Sequence, residues 1–479
     1  MKYDVAIIGA GVIGCMSARA LSKYDMKVCL LEAGSDVCGG ASKANSGIVH
    51  SGYDPVPGSR KAHYNVLGAN MMEQICEELS VKYRKNGSLV LAFTEEECES
   101  IQELFLRGIQ NGVFDLQMIK KEELIKLEPN VSESIKKALY SPTAGIVCPY
   151  TLTIAAAENA VDNGVELFLN AAVTEAKQEN QRWVITAGGN EIDTKMVVNA
   201  AGVHAGTVAN LFGDDTITIM PRKGEYILCD KPEHTIVNSV VFQAPTVHGK
   251  GVLITQTVDN NLLIGPTSHR TEDTSDTATT KDGITELIQT AQKSVSDLPL
   301  KDVLTTFTGI RASSDTGDFI VSFSEYAQNL FHIAGIDSPG LTASPAIAEE
   351  VARSIAEKLD KQKKPDFNPY RTTALSIGEM NPDQRANAME QNPCYGHIVC
   401  RCEKISEAEI LDAIRSLVPA TTLDGVKRRV RAGMGRCQGG FCGPTVAKIL
   451  SRELNIPLSQ IVKDKMRSEI LTEKMKKGI

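Results

Sequence analysis

The chain begins with a largely apolar run, "YDVAIIGAG", which turns into "VIGCMSARAL", where small and apolar residues recur at helical spacing. A second apolar run, "KVCLLEAG", follows. Short continuous runs predict strands buried on both faces, and the 3.6-residue recurrence between them predicts a helix. Two later segments repeat parts of this pattern. "KMVVNAAGVHAG" (195–206) is an apolar run ending in small residues, and "LFHIAGIDSPGLTASPAIAEEVARSIAEKL" reads as a strand, a glycine turn and a long helix. The first amides of that helix, at Gly340 and Leu341, are placed to stabilise an electron-rich ring or an anion. Residues 361–397 carry many polar residues and several prolines with little apolar periodicity, which marks a linker or extended strap. Beyond them, "SEAEILDAIRSL", "TLDGVKRRVRAG" and "GPTVAKILSRELN" predict three short helices.

The opening turn sets Gly9, Gly11 and Gly14 in G-x-G-x-x-G spacing, and Glu32 closes the second run. One glycine serves a tight turn, one lets the backbone approach a pyrophosphate and one allows close helix packing, while the carboxylate takes a ribose hydroxyl. The helix N-terminus adds unpaired amides and a positive dipole end. Both FAD and NAD carry the ADP moiety that such a cradle holds. The loop "GGASKANSGIVHSGYDPVPGSRKAH" (39–63) is dense in Gly, Ser, Asn and Pro and too long for a simple turn, which gives it the character of a binding loop.

Taken in order, "IIGAGVIG", Glu32, "NSGIVHSGYDPVPGSRKAH", "VVNAAGVHA", "FTGIRASSDTGDFIV" and "GIDSPGLTASPA" resemble the FAD-dependent D-amino-acid-oxidase and glycerol-3-phosphate-dehydrogenase superfamily across residues 1 to 360. The resemblance implies FAD, a discontinuous Rossmann-type FAD-binding domain, and an α+β substrate domain whose mixed sheet lies over the isoalloxazine ring. The expected FAD segments are 1–80, 146–215 and 326–360, and the substrate segments are 81–145 and 216–325. Residues 361–395 would form the linker. FAD contacts are expected from Gly9, Gly11, Gly14, Glu32, Ser46, Gly47, Val173 (its backbone meeting the adenine), Ala201, Gly202, Gly335, Gly340 and Leu341.

His50 matches the loop histidine that, in similar glycerophosphate oxidases, takes the substrate hydroxyl proton while hydride passes to the flavin. An imidazole near its free pKa of about 6.5 suits that task; a histidine that only hydrogen-bonds the flavin or the loop is the alternative. Arg311 matches the family's clamp for an anionic substrate, where a guanidinium fork fits carboxylate or phosphate, unless it pairs with Asp315 or Asp318. Arg222 and Lys223 are further candidates for binding that anion, with His204 and His269 as weaker site residues. After His50, "SGYDPVPGS" resembles 2-hydroxyglutarate oxidases at least as much as aerobic glycerophosphate dehydrogenases. Anaerobic glycerophosphate dehydrogenase subunits share this loop and also carry a C-terminal cysteine domain.

Of twelve cysteines, eight are scattered singly and read as reduced core thiols. The other four, Cys400 and Cys402 in a CxC and Cys437 and Cys442 in a glycine-rich CxxxxC, precede helix starts, where amide dipoles stabilise thiolates. Four thiolates can hold zinc or an iron-sulfur cluster. The spacing resembles the bacterioferritin-associated ferredoxin fold, which implies a 2Fe-2S cluster in a small helical domain at 396–455. A tail at 456–479 follows.

With 42% hydrophobic and 23% charged residues over 479 positions, the chain has the balance of a globular protein of about three domains. A mixed net charge of −8 excludes a general affinity for nucleic acid. Only "KDKMRSEILTEKMKKGI" (463–479) is locally basic; it reads as a solvated helix, with a lipid surface or an acidic partner as the alternative. No run approaches the roughly 18 apolar residues that cross a bilayer, and the N-terminus enters a strand directly, so a cytoplasmic place is expected, with peripheral contact at the inner membrane face left open.

The resulting expectation is an α/β dehydrogenase oxidising sn-glycerol 3-phosphate to dihydroxyacetone phosphate. Hydride would pass to FAD, and electrons would leave through the cluster to a second flavoprotein or other acceptor subunit in a hetero-oligomer, since no second G-x-G-x-x-G marks an NAD domain. A 2-hydroxy-acid dehydrogenase, such as one for L-2-hydroxyglutarate, and a non-catalytic electron-transfer subunit are the alternatives.

Overall fold

The structure, a computed structural model, describes residues 1–245 and 251–471. The apolar runs of the N-terminus pair in parallel: Lys2–Ile8 lies between Val28–Leu31 and Asn190–Asn199, and Leu330–Ala334 continues the sheet beside Asn190–Asn199. Glu166–Phe168 closes one edge, while the antiparallel strands Arg182–Ala187 and Val173–Glu179 extend from Asn190–Asn199. Val5 and Ile7 enter the core on one face, and Ala6 and Ile8 enter the core on the other. Burial on both sides is why these strands show no polar alternation. Helices Val12–Leu21, Arg60–Glu78, Pro149–Asp162 and Gly340–Lys358 pack together on the first of these faces.

A second sheet of nine strands is mixed. Val240–Gln243 runs parallel to Ser88–Ala92, and its longest pairing joins Ile219–Cys229 antiparallel to Val303–Ser314. A three-stranded sheet of Ile48–Val49, Gly145–Val147 and Tyr83–Arg84 stands between the two large ones. Ile320–Phe323, assigned from the sequence to the substrate segment 216–325, instead pairs antiparallel with Leu330–Ala334 in the nucleotide sheet, because a short connection returns it directly onto that strand. Residues 361–371 form a strap across the back of this unit: Arg371 pairs with Glu158, and Arg19 donates to the Pro369 carbonyl at 3.1 Å. Further along the expected linker, 361–395, lies a helix, Pro382–Gln391, that apolar periodicity did not reveal. It buries only Ala388, and its start is fixed by an Asn381–Gln384 capping box.

In the C-terminal unit, strands Ile398–Cys400 and Ile405–Ser406 and helices Glu407–Ile414, Leu423–Val430 and Gly443–Leu454 enclose a separate core around Ile410, Val426 and Leu450. The solvated helix expected in the tail is not formed over 463–471, where Val462 and Glu469 make a bridge; 472–479 lie outside the described residues. Among the described residues no helix is long and apolar enough to cross a membrane.

Buried charges dock this unit. Arg429 donates to both Asp36 oxygens at 2.9 Å, and Arg428 bridges Asp36 at 2.9 Å and Asp464 at 2.8 Å. Burial alone would raise both carboxyls, but Arg429 and Arg428 hold Asp36 below its ordinary range, while Lys43 and Arg428 hold Asp464 down at about 2. A carboxyl depressed in the folded state stabilises fully above its unfolded value of roughly 3.9 and loses that contribution as pH falls through the folded value. Proteolytic release of the C-terminal unit is therefore expected to rise only below about pH 4. Release that is unchanged by acidification would show that other contacts hold the dock.

Candidate active site and cluster site

The nucleotide cradle forms where Lys2–Ile8 meets helix Val12–Leu21. Gly9 has φ +103°, and a Cβ there would lie 2.5 Å from the Ala200 carbonyl oxygen; a Cβ on Gly14 would lie 1.8 Å from the Gly9 oxygen. Neither position admits a side chain. A Cβ on Gly11 would meet only the Ser42 hydroxyl, at 3.2 Å, which leaves the close approach that a pyrophosphate needs. Glu32 stands at the mouth, its carboxylate accepting from the amides of Ala10 and Gly34 at 2.7 Å. The Glu32 carbonyl accepts from Ala171, which brings Val173 alongside. Ala201 adjoins Gly9, while Gly202 and His204 sit at an exposed turn. These residues fit the ADP portion of FAD.

At the other end of the cradle, Gly47 (φ +67°) presses against Val147, with a Cβ there falling 2.4 Å from its carbonyl oxygen. The chain then enters Ile48–Val49 and reaches His50. The His50 amide donates to Thr342 Oγ1 at 3.0 Å, and its carbonyl accepts from Asn65 at 2.6 Å. Its ring lies 5.9 Å from Phe242. Asn65 is fully buried, and its Oδ1 has no partner among the described residues. A cavity of 10 Å³ lined by His50, Asp54, Asn65 and Pro339 has room for about one water. Of the two amides expected to face the ring, that of Gly340 is already donated to Asp337 at 2.5 Å; Leu341 follows half-buried on the same turn, and Gly335 packs against Ser314.

The long strand pair supplies the facing wall. Its register sets Arg222 opposite Arg311, Gly224 opposite Gly309 and Tyr226 opposite Phe307, while Arg270 lies against Arg222 from the other edge. Opposed residues share a face, so Arg270, Arg222 and Arg311 form a row. The loop that carries Ser46 crosses this face so closely that a Cβ on Gly309 would lie 2.0 Å from the Ala44 carbonyl oxygen. Ser46 hydrogen-bonds Tyr226, whose phenol is raised by burial and restrained by nearby Arg311. Tyr226 stacks on Phe307 at 4.8 Å.

Arg311 donates through Nη2 to the Thr267 carbonyl at 2.6 Å, while its buried Nε has no partner among the described residues. Asp318, weighed above as its partner, instead accepts the amides of Arg60 and Lys61 at 2.8 and 2.9 Å. Arg222 is held by Ser268 at 3.1 Å. Lys223 is turned away: the pleat sends it to the opposite face, where it pairs with Asp276 at 2.6 Å. His269 lies in register with Lys223 and bonds Glu286 at 2.9 Å, away from the arginine row. Sequence reading did not find Tyr226, Arg270, Asn65 or Thr342. Only strand pairing and helix packing bring them here, and no local motif marks them.

The four C-terminal thiols come together as two pairs. Cys402 and Cys437 Sγ atoms are 4.0 Å apart, and the Cys442 thiol bonds Cys400. That bond, with the amides of Gly433 and Glu403, holds Cys400 down at about 5; the Phe441 and Gly439 amides lower Cys437. Among the described residues no three His, Cys, Asp or Glu surround a single metal position. Four thiols brought together by two loops fit a 2Fe-2S cluster, which Cys400, Cys402, Cys437 and Cys442 would hold.

A fold with a dinucleotide cradle, a cationic sheet above it and a thiol tetrad behind it is a flavin oxidoreductase with an attached electron carrier. The chain belongs to the FAD dependent oxidoreductase family, whose model matches residues 4–354, and a BFD-like 2Fe-2S binding domain matches residues 398–452. Its cofactors are FAD and a 2Fe-2S cluster. It is 45% identical over 473 residues to a glycerol 3-phosphate dehydrogenase of Caloramator mitchellensis, covering 98% of both chains. It is 35% identical to the glycerol 3-phosphate oxidase of Mycoplasma pneumoniae, covering 76% of this chain and 97% of that one. The FAD-bound, dithionite-reduced L-alpha-glycerophosphate oxidase structure from Mycoplasma pneumoniae matches with a TM-score of 0.75 at 33% identity, over 78% of this chain and 100% of that one.

Proposed function

We propose that this chain oxidises sn-glycerol 3-phosphate to dihydroxyacetone phosphate and delivers the electrons to a separate acceptor protein. The observation that carries the reading is the buried Nε of Arg311, without a partner among the described residues, in a row with Arg222 and Arg270 on the wall facing the His50 loop. A phosphate accepting from these guanidinium groups would satisfy Arg311 and set the substrate's carbon chain toward His50. The His50 imidazole then takes the proton of the secondary hydroxyl as its carbon becomes a carbonyl. Thr342 and Asn65 fix the histidine's backbone for that transfer. Bound FAD supplies the acceptor for the carbon-bound hydrogen with its electron pair, and the cluster supplies a one-electron carrier.

Replacing His50 by alanine is expected to slow substrate-driven flavin bleaching roughly 100-fold or more at unchanged flavin content. An unchanged rate would leave the ring a structural part of the loop. Anaerobic mixing with glycerol 3-phosphate and, separately, with L-2-hydroxyglutarate tests the substrate. Bleaching by the hydroxy acid alone would replace the present reading.

The acceptor is inferred to dock beside the cluster. Phe441, between cluster ligands, is 88% exposed, and exposed Arg401, Cys402 and Lys404 lie on the adjoining loop. An aromatic anchor within a cationic rim suits an acidic redox protein.

A further inference from the structure

The flavin loop and the cluster loop belong to separately cored units, and one short run of side chains joins them. Gly47 packs on Val147 and on Pro149, whose Cδ would lie 3.4 Å from a Cβ at that glycine. Pro149 is bonded to Tyr150, which packs against both the nucleotide-side and the substrate-side cores. The Tyr150 hydroxyl reaches Met434 Sδ at 3.6 Å. Met434 lies between Gly433, whose amide bonds Cys400, and Gly435, where a Cβ would stand 2.3 Å from Cys402 Cβ. From the flavin loop to the cluster ligands, non-covalent contact is therefore needed only at Gly47–Pro149, Tyr150–Met434 and the two glycine–cysteine approaches.

Arg431 holds the middle junction. Its carbonyl accepts the Met434 amide at 3.0 Å, and its guanidinium donates to Asp259 at 2.6 Å, Glu403 at 2.9 Å and Asn261 at 3.1 Å. One side chain thus ties the substrate domain and the Cys402 loop to the turn that carries Met434. The other dock, through Asp36 and the pair Arg428 and Arg429, adjoins the Glu32 end of the cradle. That end receives the ADP portion of FAD, away from the redox ring.

We propose that Tyr150, seated on Met434 and clamped by Arg431, is the positioning contact that sets the electron-transfer distance between the FAD pocket and the 2Fe-2S site. The two electrons taken from each substrate molecule cross it one at a time, the contact itself keeps its oxidation state, and a one-electron acceptor protein or dye removes them from the cluster. The proposal rests on the two cofactor assignments and is independent of which alcohol is oxidised.

The test therefore bypasses substrate. In the anaerobic full-length holoprotein, a light pulse with a sacrificial amine donor reduces the flavin, and cluster reduction is followed optically and by electron paramagnetic resonance. Tyr150→Ala is expected to slow cluster reduction by about an order of magnitude, with flavin content, the cluster's resonance spectrum and its midpoint potential unchanged. Tyr150→Phe and Met434→Leu, which keep the packed volume, should restore nearly the full rate. A wild-type rate in Tyr150→Ala would overturn the proposal. If that variant loses either cofactor, Met434→Ala and Arg431→Gln decide: slowed transfer with an intact cluster spectrum supports the contact, and an unchanged rate overturns it. A fall in rate that tracks a shifted potential would also overturn it, because driving force and not distance would then have changed. Loss of glycerol 3-phosphate oxidation with a normal light-driven transfer would count against the substrate reading alone.

Discussion

Arg311→Ala is expected to lower kcat/KM for glycerol 3-phosphate by roughly two orders of magnitude, about 3 kcal/mol of transition-state stabilisation. The guanidinium is anchored at one nitrogen by the Thr267 carbonyl, so its position is fixed before substrate arrives, and its Nε, which has no partner among the described residues, needs an acceptor that a substrate phosphate can supply. Truncation removes that donor from a buried site and leaves a substrate phosphate under-satisfied there. Arg311→Lys keeps the charge but not the planar fork, and a smaller loss, felt mainly in KM, is expected. Steady-state kinetics with a dye acceptor, alongside flavin content, measure both. If neither substitution alters KM or kcat, Arg311 serves only to tie the Val303–Ser314 strand to Thr267.

Cys437→Ser should abolish turnover with a protein acceptor while leaving FAD content and flavin bleaching by substrate close to wild type. Cys437 is one of the four thiols that would hold the cluster, close to Cys402, so its loss would leave the site one thiolate short. The flavin site persists because the C-terminal unit has its own core and its buried docking pairs, Asp36 with Arg428 and Asp259 with Arg431, together with Lys43 to Asp464, do not involve Cys437. Iron analysis and electron paramagnetic resonance of the dithionite-reduced protein measure the loss. Stoichiometric zinc in the wild type, or full acceptor turnover after iron has gone, would make the C-terminal unit a structural module.

The parts legible in the sequence follow from short-range rules. Gly9 and Gly14 can be read from a G-x-G-x-x-G between apolar runs because strand, turn and helix are contiguous, and the clashes a Cβ would make there are with near neighbours or the adjoining strand end. The thiol tetrad is legible for a similar reason: Cys400 and Cys402 sit in one loop and Cys437 and Cys442 in another, so only two loops need meet. Tertiary structure decided which residues line the wall that the His50 loop crosses. Arg222 and Lys223 are indistinguishable as adjacent cations in sequence, yet the pleat sends one into the arginine row and the other to Asp276. Asp318, near Arg311 in sequence and an alternative partner for it there, instead caps helix Arg60–Glu78. Tyr226 meets Ser46, and Tyr150 meets Met434, only because separate units close on each other. Strand register and domain docking join residues far apart along the chain, and a pattern with a period of two or 3.6 residues carries no record of either.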